Sequence, residues 1–387
     1  MNKKNYLNSI NNSQKPFIIY KTIKGFDLFT DFSKKIILNN QNIKHFLNQN
    51  HSSKKKYKST DLYIGFFGYE LLNNLIGIKV PRQKSINFPK GIFYKPETKI
   101  NLKEDLIYES QSTHKINRNF KINIDQNLYT KIFDKFKKKI RSGQTYQIKI
   151  CTKYKNKSQI DPLDFFCRLT KTNLAPEAFM IKDKDYSIIS CSPENLINKK
   201  GSSISTKPIA GTLRKTKKIN KKKALNFFKN NIKETKEHNM IVDMERNDLS
   251  RICIPGSVKL KKEKSVEEYK DLYHYVSLIS GKLKGKVGNI DIVKAMMPGG
   301  SVIGCPKIST LNLLNNQEKE NRNIYTGSFG FIKFNGDMRF NIIIRSILNY
   351  NDISEISVAS GVVIDSNAKH EFNENFIKAK ALIDLYK

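Results

Sequence analysis

Arginine, cysteine and long apolar runs are all scarce in this 387-residue sequence, and each shortage excludes a class of protein. No run of 18 apolar residues occurs, so no membrane-spanning helix is expected. The opening MNKKNYLNSINNSQKPF has no apolar stretch followed by small residues, so no secretory signal is expected and the reading is cytoplasmic. Five cysteines, at 151, 167, 191, 253 and 305, are scattered and form no C-x-x-C. They are expected as free or buried thiols, not as disulfides or zinc ligands. Neither G-x-G-x-x-G nor G-x-x-x-x-G-K-[ST] follows a strand-like segment, so a nucleotide cofactor finds no phosphate cradle. The net charge of +35 invites a nucleic-acid reading, but only ten of the 70 basic residues are Arg. Arg is the better reader of bases and phosphates, and the lysine runs at 217–223 and 259–264 carry no interleaved aromatics for stacking bases. A basic, non-catalytic nucleic-acid binder is therefore the weaker reading.

What is present is a folding pattern. With 39% hydrophobic residues the chain has material for a sizeable core in one large or two ordinary domains. Residues 1–125 are less regular: FIIYKTI reads as a strand, a polar stretch covers 48–59, and YIGFFGYELL suits a strand or tight turn. From 126 to 387 the pattern firms. Apolar residues at 129, 132, 133, 136 and 140, with a Gly just past them, predict an amphipathic helix. TYQIKICTKY alternates as a strand does, and short strands split by KDKD and NKKG follow. Helices are expected over roughly 220–247, 264–281 and 305–318. Asn335-Gly336 marks a hairpin, NIIIRSIL and ISVASGVVI read as strands, and Phe372, Phe376, Ala379 and Ile383 outline a closing helix. Hairpin-linked strands with segregated helices predict an α+β sandwich rather than a doubly wound parallel sheet.

Two widely separated Glu-x-x-Glu pairs, Glu234/Glu237 and Glu371/Glu374, carry the chemistry. Residues three apart on a helix share a face, so each pair projects two carboxylates one way. If the fold brings the pairs together, four carboxylates surround a small space suited to a hard cation such as Mg²⁺. Alone, each pair would be an ordinary solvated helix face.

Taken with SPEN, PIAGT, EHNMIVDMERNDLSR, YHYVS, PGGSVIGCPK, IIIRS and ASGVVIDS, in order across residues 126–387, the sequence resembles the chorismate-utilising enzymes. These are anthranilate synthase component I, aminodeoxychorismate synthase component I, and the isochorismate and salicylate synthases. The resemblance implies an antiparallel two-sheet α/β sandwich of the chorismate-binding type, with chorismate and Mg²⁺ between sheet edges and helices. It implies that Glu194 is the general acid for the departing C4 hydroxyl, and that Glu237 and Glu374 ligate Mg²⁺ with Glu234 and Glu371 acting through water. Arg345, Tyr325 and the Gly361 backbone would meet the enolpyruvyl carboxylate, and Lys378 a substrate carboxylate. His274 would stand near the leaving hydroxyl, with Gly211, Thr212 and Ser301 hydrogen-bonding to substrate.

Two positions choose within the family. Gln147 stands where isochorismate-forming relatives place a lysine base. An amide cannot take a proton at neutral pH, so ammonia becomes the expected nucleophile. Ala210 stands where aminodeoxychorismate synthases often carry a covalent lysine, which favours anthranilate synthase. Against that, the N-terminal part has no LLES-like feedback segment, and YTGSFGF, GGSVIGCPK and DMRFNIIIRS look closer to the aminodeoxychorismate branch. The expectation is aminodeoxychorismate synthase component I, with anthranilate synthase component I as alternative. Ile303 and Ser360 depart from the family's usual Thr/Ser and Ala. No glutamine-amidotransferase signature appears in the chain, so a separate glutaminase subunit is the implied ammonia source.

Overall fold

The strands Gly25–Ile37 and Gly91–Leu102 pair antiparallel from Phe26↔Leu102 to Ile37↔Ile92, and this ribbon joins two sheets. One end pairs with Phe17–Thr22 and the other with Leu62–Phe67. Between the two ends the register shifts at Phe32/Lys34, and Asp31 adopts φ 52°. A bulge bends the strand that carries it, which lets one ribbon serve both sheets. The computed structural model describes residues 3–13, 15–49, 56–80, 87–102, 106, 108, 116–216, 219–269 and 272–387. Residues 50–55 of the polar stretch, together with Lys217 and Lys218, lie outside that set.

The first sheet continues from Phe17–Thr22 through Glu177–Lys182, Tyr186–Ser192, Ser346–Tyr350 and Ile353–Val362 to Gln147–Lys157. The second runs from Leu62–Phe67 through Ser328–Lys333, Met338–Asn341, Asn195–Lys200 and Ser203–Lys207 to Leu272–Lys282. That last strand also pairs with Ile209–Arg214 and Lys259–Glu268. Among the described residues every strand pairing is antiparallel, as hairpin connections require.

Ile18, Phe179, Ile181, Ile188 and Leu348 of the first sheet meet Ile64, Phe66 and Phe329 of the second in one buried cluster, where Phe179 and Phe329 stack at 3.7 Å. Each such side chain contributes about 1.5–3 kcal/mol by leaving water. Helices Pro162–Asn173 and Ala368–Ile383 cover the outer face of the first sheet, and Ile232–Ile252 and Asn289–Met296 that of the second. The helix Gln126–Arg141 buries all five residues that its periodicity marked. Asp125 caps it by accepting from the Leu128 N–H at 2.8 Å, and Gly143 follows at φ +72°. Among the described residues no helix is long and apolar enough to cross a membrane.

Four expectations are corrected. The stretch 264–281 is not a helix but parts of two strands, Lys259–Glu268 and Leu272–Lys282, paired antiparallel. Its Tyr, Val and Ile content suits a half-buried pleated surface, and sheet pairing outweighed the weak helical spacing. The region 220–247 breaks into Lys221–Asn230 and Ile232–Ile252, because Asn231 leaves helical geometry and its side chain caps the second helix at Glu234 N. NIIIRSIL is interrupted: Met338–Asn341 ends before an irregular link, and Arg345 takes φ 52° before Ser346–Tyr350 begins. Finally, the closing helix Ala368–Ile383 buries Glu371, Asn375, Ala379 and Leu382, while Phe376 stays about half exposed. Its inward face is partly polar because it faces the candidate site.

Candidate active site

The edge of the first sheet meets the helices over the second at Glu237. Lys149 Nζ lies 3.1 Å from Glu237 Oε1, and Gln147 Nε2 donates to the same oxygen at 3.0 Å. Gln147 and Lys149 alternate along Gln147–Lys157 and so share a face of that strand. The Lys149 ammonium, with the Gln147 amide, pulls the Glu237 carboxyl down to about 2 against the effect of burial. Burial alone would lower the Lys149 pKa; Glu237, Glu374 and Glu371 together offset this and hold it above the ordinary lysine value.

The second carboxylate pair stands close by. Glu371 is buried, and His370, Glu371 and Glu374 offer ligand atoms that all lie within 4.8 Å of one another. Lys378 ion-pairs with Glu374 at 2.7 Å and donates to the Ala359 carbonyl at 2.9 Å. Burial would raise Glu374, yet Lys378 keeps its carboxyl below the usual value, and the charge of Glu237 pushes the other way. Glu237, Glu371 and Glu374 all act on Lys149. Oxygen donors of this kind suit Mg²⁺. Glu234 is placed differently: its Oε2 lies against Gly211, 2.9 Å from where a Cβ would stand.

A second group surrounds Glu194, which follows Tyr186–Ser192. Ser301 donates to Glu194 Oε1 at 2.7 Å, and the Glu194 carbonyl accepts from Ile342 N. Burial pushes the Glu194 carboxyl up to about 7, although Ser301, Lys149 and Arg345 oppose it. Arg345 is half-buried, and among the described residues its guanidinium makes no ion pair with a carboxylate. It lines a cleft with His274, Tyr269, Leu272 and the segment 172–176. Burial, then the Arg345 charge, lowers His274 to about 4, so its imidazole is neutral near pH 7. Tyr325 packs with Cys151, Ala359 and Ile344, the residue before Arg345 in the chain.

The strand Ile209–Arg214 carries Ala210 and Thr212, whose backbones pair with Tyr275 and His274; their side chains lie outside the described set. Gly211 between them takes φ +75°, and a Cβ there would meet Phe228 at 2.7 Å. Only glycine avoids both costs. Gly361 pairs with Lys149 across the strands, and a Cβ there would stand 2.7 Å from Lys149 Nζ and 2.9 Å from Gln147 Nε2. The two departures from the family pattern have local accounts. Ser360 shares a 2.7 Å hydrogen bond with Tyr129, and Ile303 is fully buried against the helix Gln126–Arg141.

The sites thus fall into one region: Glu237, Glu371, Glu374, Gln147 and Gly361 around Lys149, and Glu194, Ser301, Arg345 and His274 beside it. Lys149 and His370 were missed in the sequence. Lys149 was findable from its two-residue spacing to Gln147 on an alternating strand; His370 carried no signal beyond adjacency to Glu371.

Comparison with known proteins places the chain. The chorismate binding enzyme family matches residues 3–384. The chain is 36% identical over 255 residues to aminodeoxychorismate synthase component 1 of Bacillus subtilis, covering 66% of this chain and 54% of that protein. It is 30% identical over 347 residues to an anthranilate synthase component I-like protein of Synechocystis, covering 83% and 72%. The crystal structure of anthranilate synthase component I from Streptococcus pneumoniae superposes with a TM-score of 0.76 at 26% identity, covering 95% of this chain and 90% of that one. With the first of these relatives the match spans about half of the relative's length. The family match over nearly the whole chain, on a shared antiparallel architecture, makes this protein a member of the chorismate binding enzyme family.

Proposed function

We propose that this chain is aminodeoxychorismate synthase component I, which aminates chorismate at C4 with ammonia in a Mg²⁺-dependent reaction. The observation that carries the chemistry is the buried Glu194, with Ser301 at 2.7 Å and a pKa raised to about 7. A carboxyl so tuned is partly protonated at neutral pH and can donate to a departing hydroxyl. As the C4–O bond breaks, the Glu194 proton goes to the leaving oxygen and water departs. Ammonia supplies the electron pair of the new C–N bond, and its surplus proton returns to the Glu194 carboxylate.

The other residues bind and orient. Arg345 is a half-buried guanidinium that lines the cleft without an ion-pair partner, and it would hold the enolpyruvyl carboxylate, with neutral His274 alongside as hydrogen-bond partner. The Gln147 amide donates to Glu237, while its buried Oε1 has no hydrogen-bond partner. An acceptor so placed suits the N–H of ammonia and cannot deprotonate water. Glu237 and Glu374 would hold Mg²⁺ directly, with Glu234 and Glu371 acting through water. When bound, the ion would anchor the ring carboxylate and withdraw electrons from the ring. Ammonia would come from a separate glutamine amidotransferase subunit.

The C4 branch draws support from the likeness to the Bacillus subtilis relative. Anthranilate synthase component I is the second reading, favoured by Ala210, which offers no amine for a covalent step. Chorismate, Mg²⁺ and ammonium, with chromatography and anthranilate fluorescence, test the proposal. Mainly 4-amino-4-deoxychorismate supports it; anthranilate and pyruvate as principal products favour the second reading. Loss of all turnover, with salt-sensitive DNA binding instead, would overturn both.

A further inference from the structure

The Lys149 ammonium touches Glu237 in the space between the two carboxylate pairs, and no role above uses it. Its Nζ sits 3.1 Å from Glu237 Oε1, in a side chain only 12% exposed. Its backbone is held on both sides. Lys149 N donates to the Ile303 carbonyl at 3.0 Å, the buried Arg322 donates to the Lys149 carbonyl at 3.1 Å, and Gly361 lies opposite in the register. The missing side chain at Gly361 leaves the room the ammonium occupies. From there its charge reaches Glu371 and Glu374 on one side and Glu194 on the other. A monocation is therefore built into the site where a dication would be held.

We propose that Lys149 is a tethered counter-cation that shares Glu237 with the metal, so that a divalent ion binds only by displacing the ammonium from that carboxylate. This rests on the reading of Glu237 and Glu374 as metal ligands. Two like charges cannot both sit closely against one half-buried carboxylate without mutual repulsion. The free protein should then bind Mg²⁺ weakly. A dicarboxylate substrate offers the displaced ammonium a new partner beside Gly361, so Mg²⁺ and chorismate should each strengthen the binding of the other, and by the same factor.

The test is calorimetric titration of the full chain with Mg²⁺, without ammonium so that no amination occurs, in the presence and absence of chorismate. Lys149→Met removes the charge and keeps the length of the side chain; Lys149→Gln serves if the methionine variant does not fold. Without chorismate, either variant should bind Mg²⁺ at least about tenfold tighter than the wild type, and the gain should disappear on adding Glu237→Gln. The enhancement of Mg²⁺ binding by chorismate should be smaller in the variants than in the wild type. Equal or weaker Mg²⁺ binding by the folded variants overturns this inference and leaves the metal reading standing. No Mg²⁺ binding by any of the proteins, with or without chorismate, overturns the metal reading and this inference together.

Discussion

The hydroxyl of Ser301 donates to Oε1 of Glu194 across 2.7 Å, joining the short helical turn Gly300–Val302 to the end of a first-sheet strand. The bond favours the carboxylate, whereas burial favours the acid, and burial wins, leaving Glu194 at about 7. Ser301 therefore sets how far the acid is tuned.

Glu194→Gln should keep chorismate binding and lose turnover, because an amide has no proton to give the leaving oxygen. Ser301→Ala should move the alkaline limb of the rate profile to higher pH, since a bond to the charged form is lost. An unmoved limb would remove Glu194 from the role of acid; a parallel loss of binding in Glu194→Gln would point to a structural part.

Glu194 also ties stability to pH. Its folded pKa lies above its ordinary 4.5, so the native state holds the extra proton. Its contribution is fully present below about 4.5 and is lost as pH rises through about 7. Urea unfolding should find Glu194→Gln gaining stability relative to the wild type between pH 5 and pH 8. No relative gain would mean that the carboxyl titrates normally.

Metal ligation predicts that Glu237→Gln and Glu374→Gln each lower turnover by more than about 100-fold, as expected where an ion supplies several kcal/mol of charge stabilisation. Glu234→Gln should be milder. Full activity in EDTA would defeat the assignment.

Arg345→Met should raise KM for chorismate by about 10–100-fold, the scale of a lost charged hydrogen bond. Without ligand, the same variant should melt no lower than the wild type, because a half-buried guanidinium with no carboxylate partner has no ion pair to lose. A large fall in melting temperature with unchanged KM would make Arg345 structural.

The branch point is tested by Ala210→Lys. In an aminodeoxychorismate synthase lacking the covalent lysine, it places an amine on Ile209–Arg214 and should add a covalent route to C4 amination, read as 4-amino-4-deoxychorismate by chromatography. Wild-type conversion of chorismate mainly to anthranilate and pyruvate would assign the chain to anthranilate synthase component I instead.

Local signals carried much of the fold. The helix Gln126–Arg141, the Asn335-Gly336 hairpin and the strand Gln147–Lys157 were legible, because their periodicity, caps and turn residues act over a few positions. The stretch 264–281 was misread because its state depends on partners: Leu272–Lys282 pairs with three other strands, and no window along the chain contains them. The buried face of the last helix was misassigned for a related reason. Apolar residues are expected inside, but there Glu371 and Asn375 face in and Phe376 out, with the Asn375 amide donating to the Ile150 carbonyl at 3.4 Å.

By itself the sequence determined the elements with local cause, the family motifs and the identities of the carboxylates, Glu194 and Arg345, since residue type fixes what each group can donate or accept. Only the tertiary structure decided that Lys149, 88 residues from Glu237, would reach it, that Glu234 would face Gly211, and that burial would carry Glu194 to about 7. Charge and desolvation act through space, over distances set by packing rather than by position along the chain.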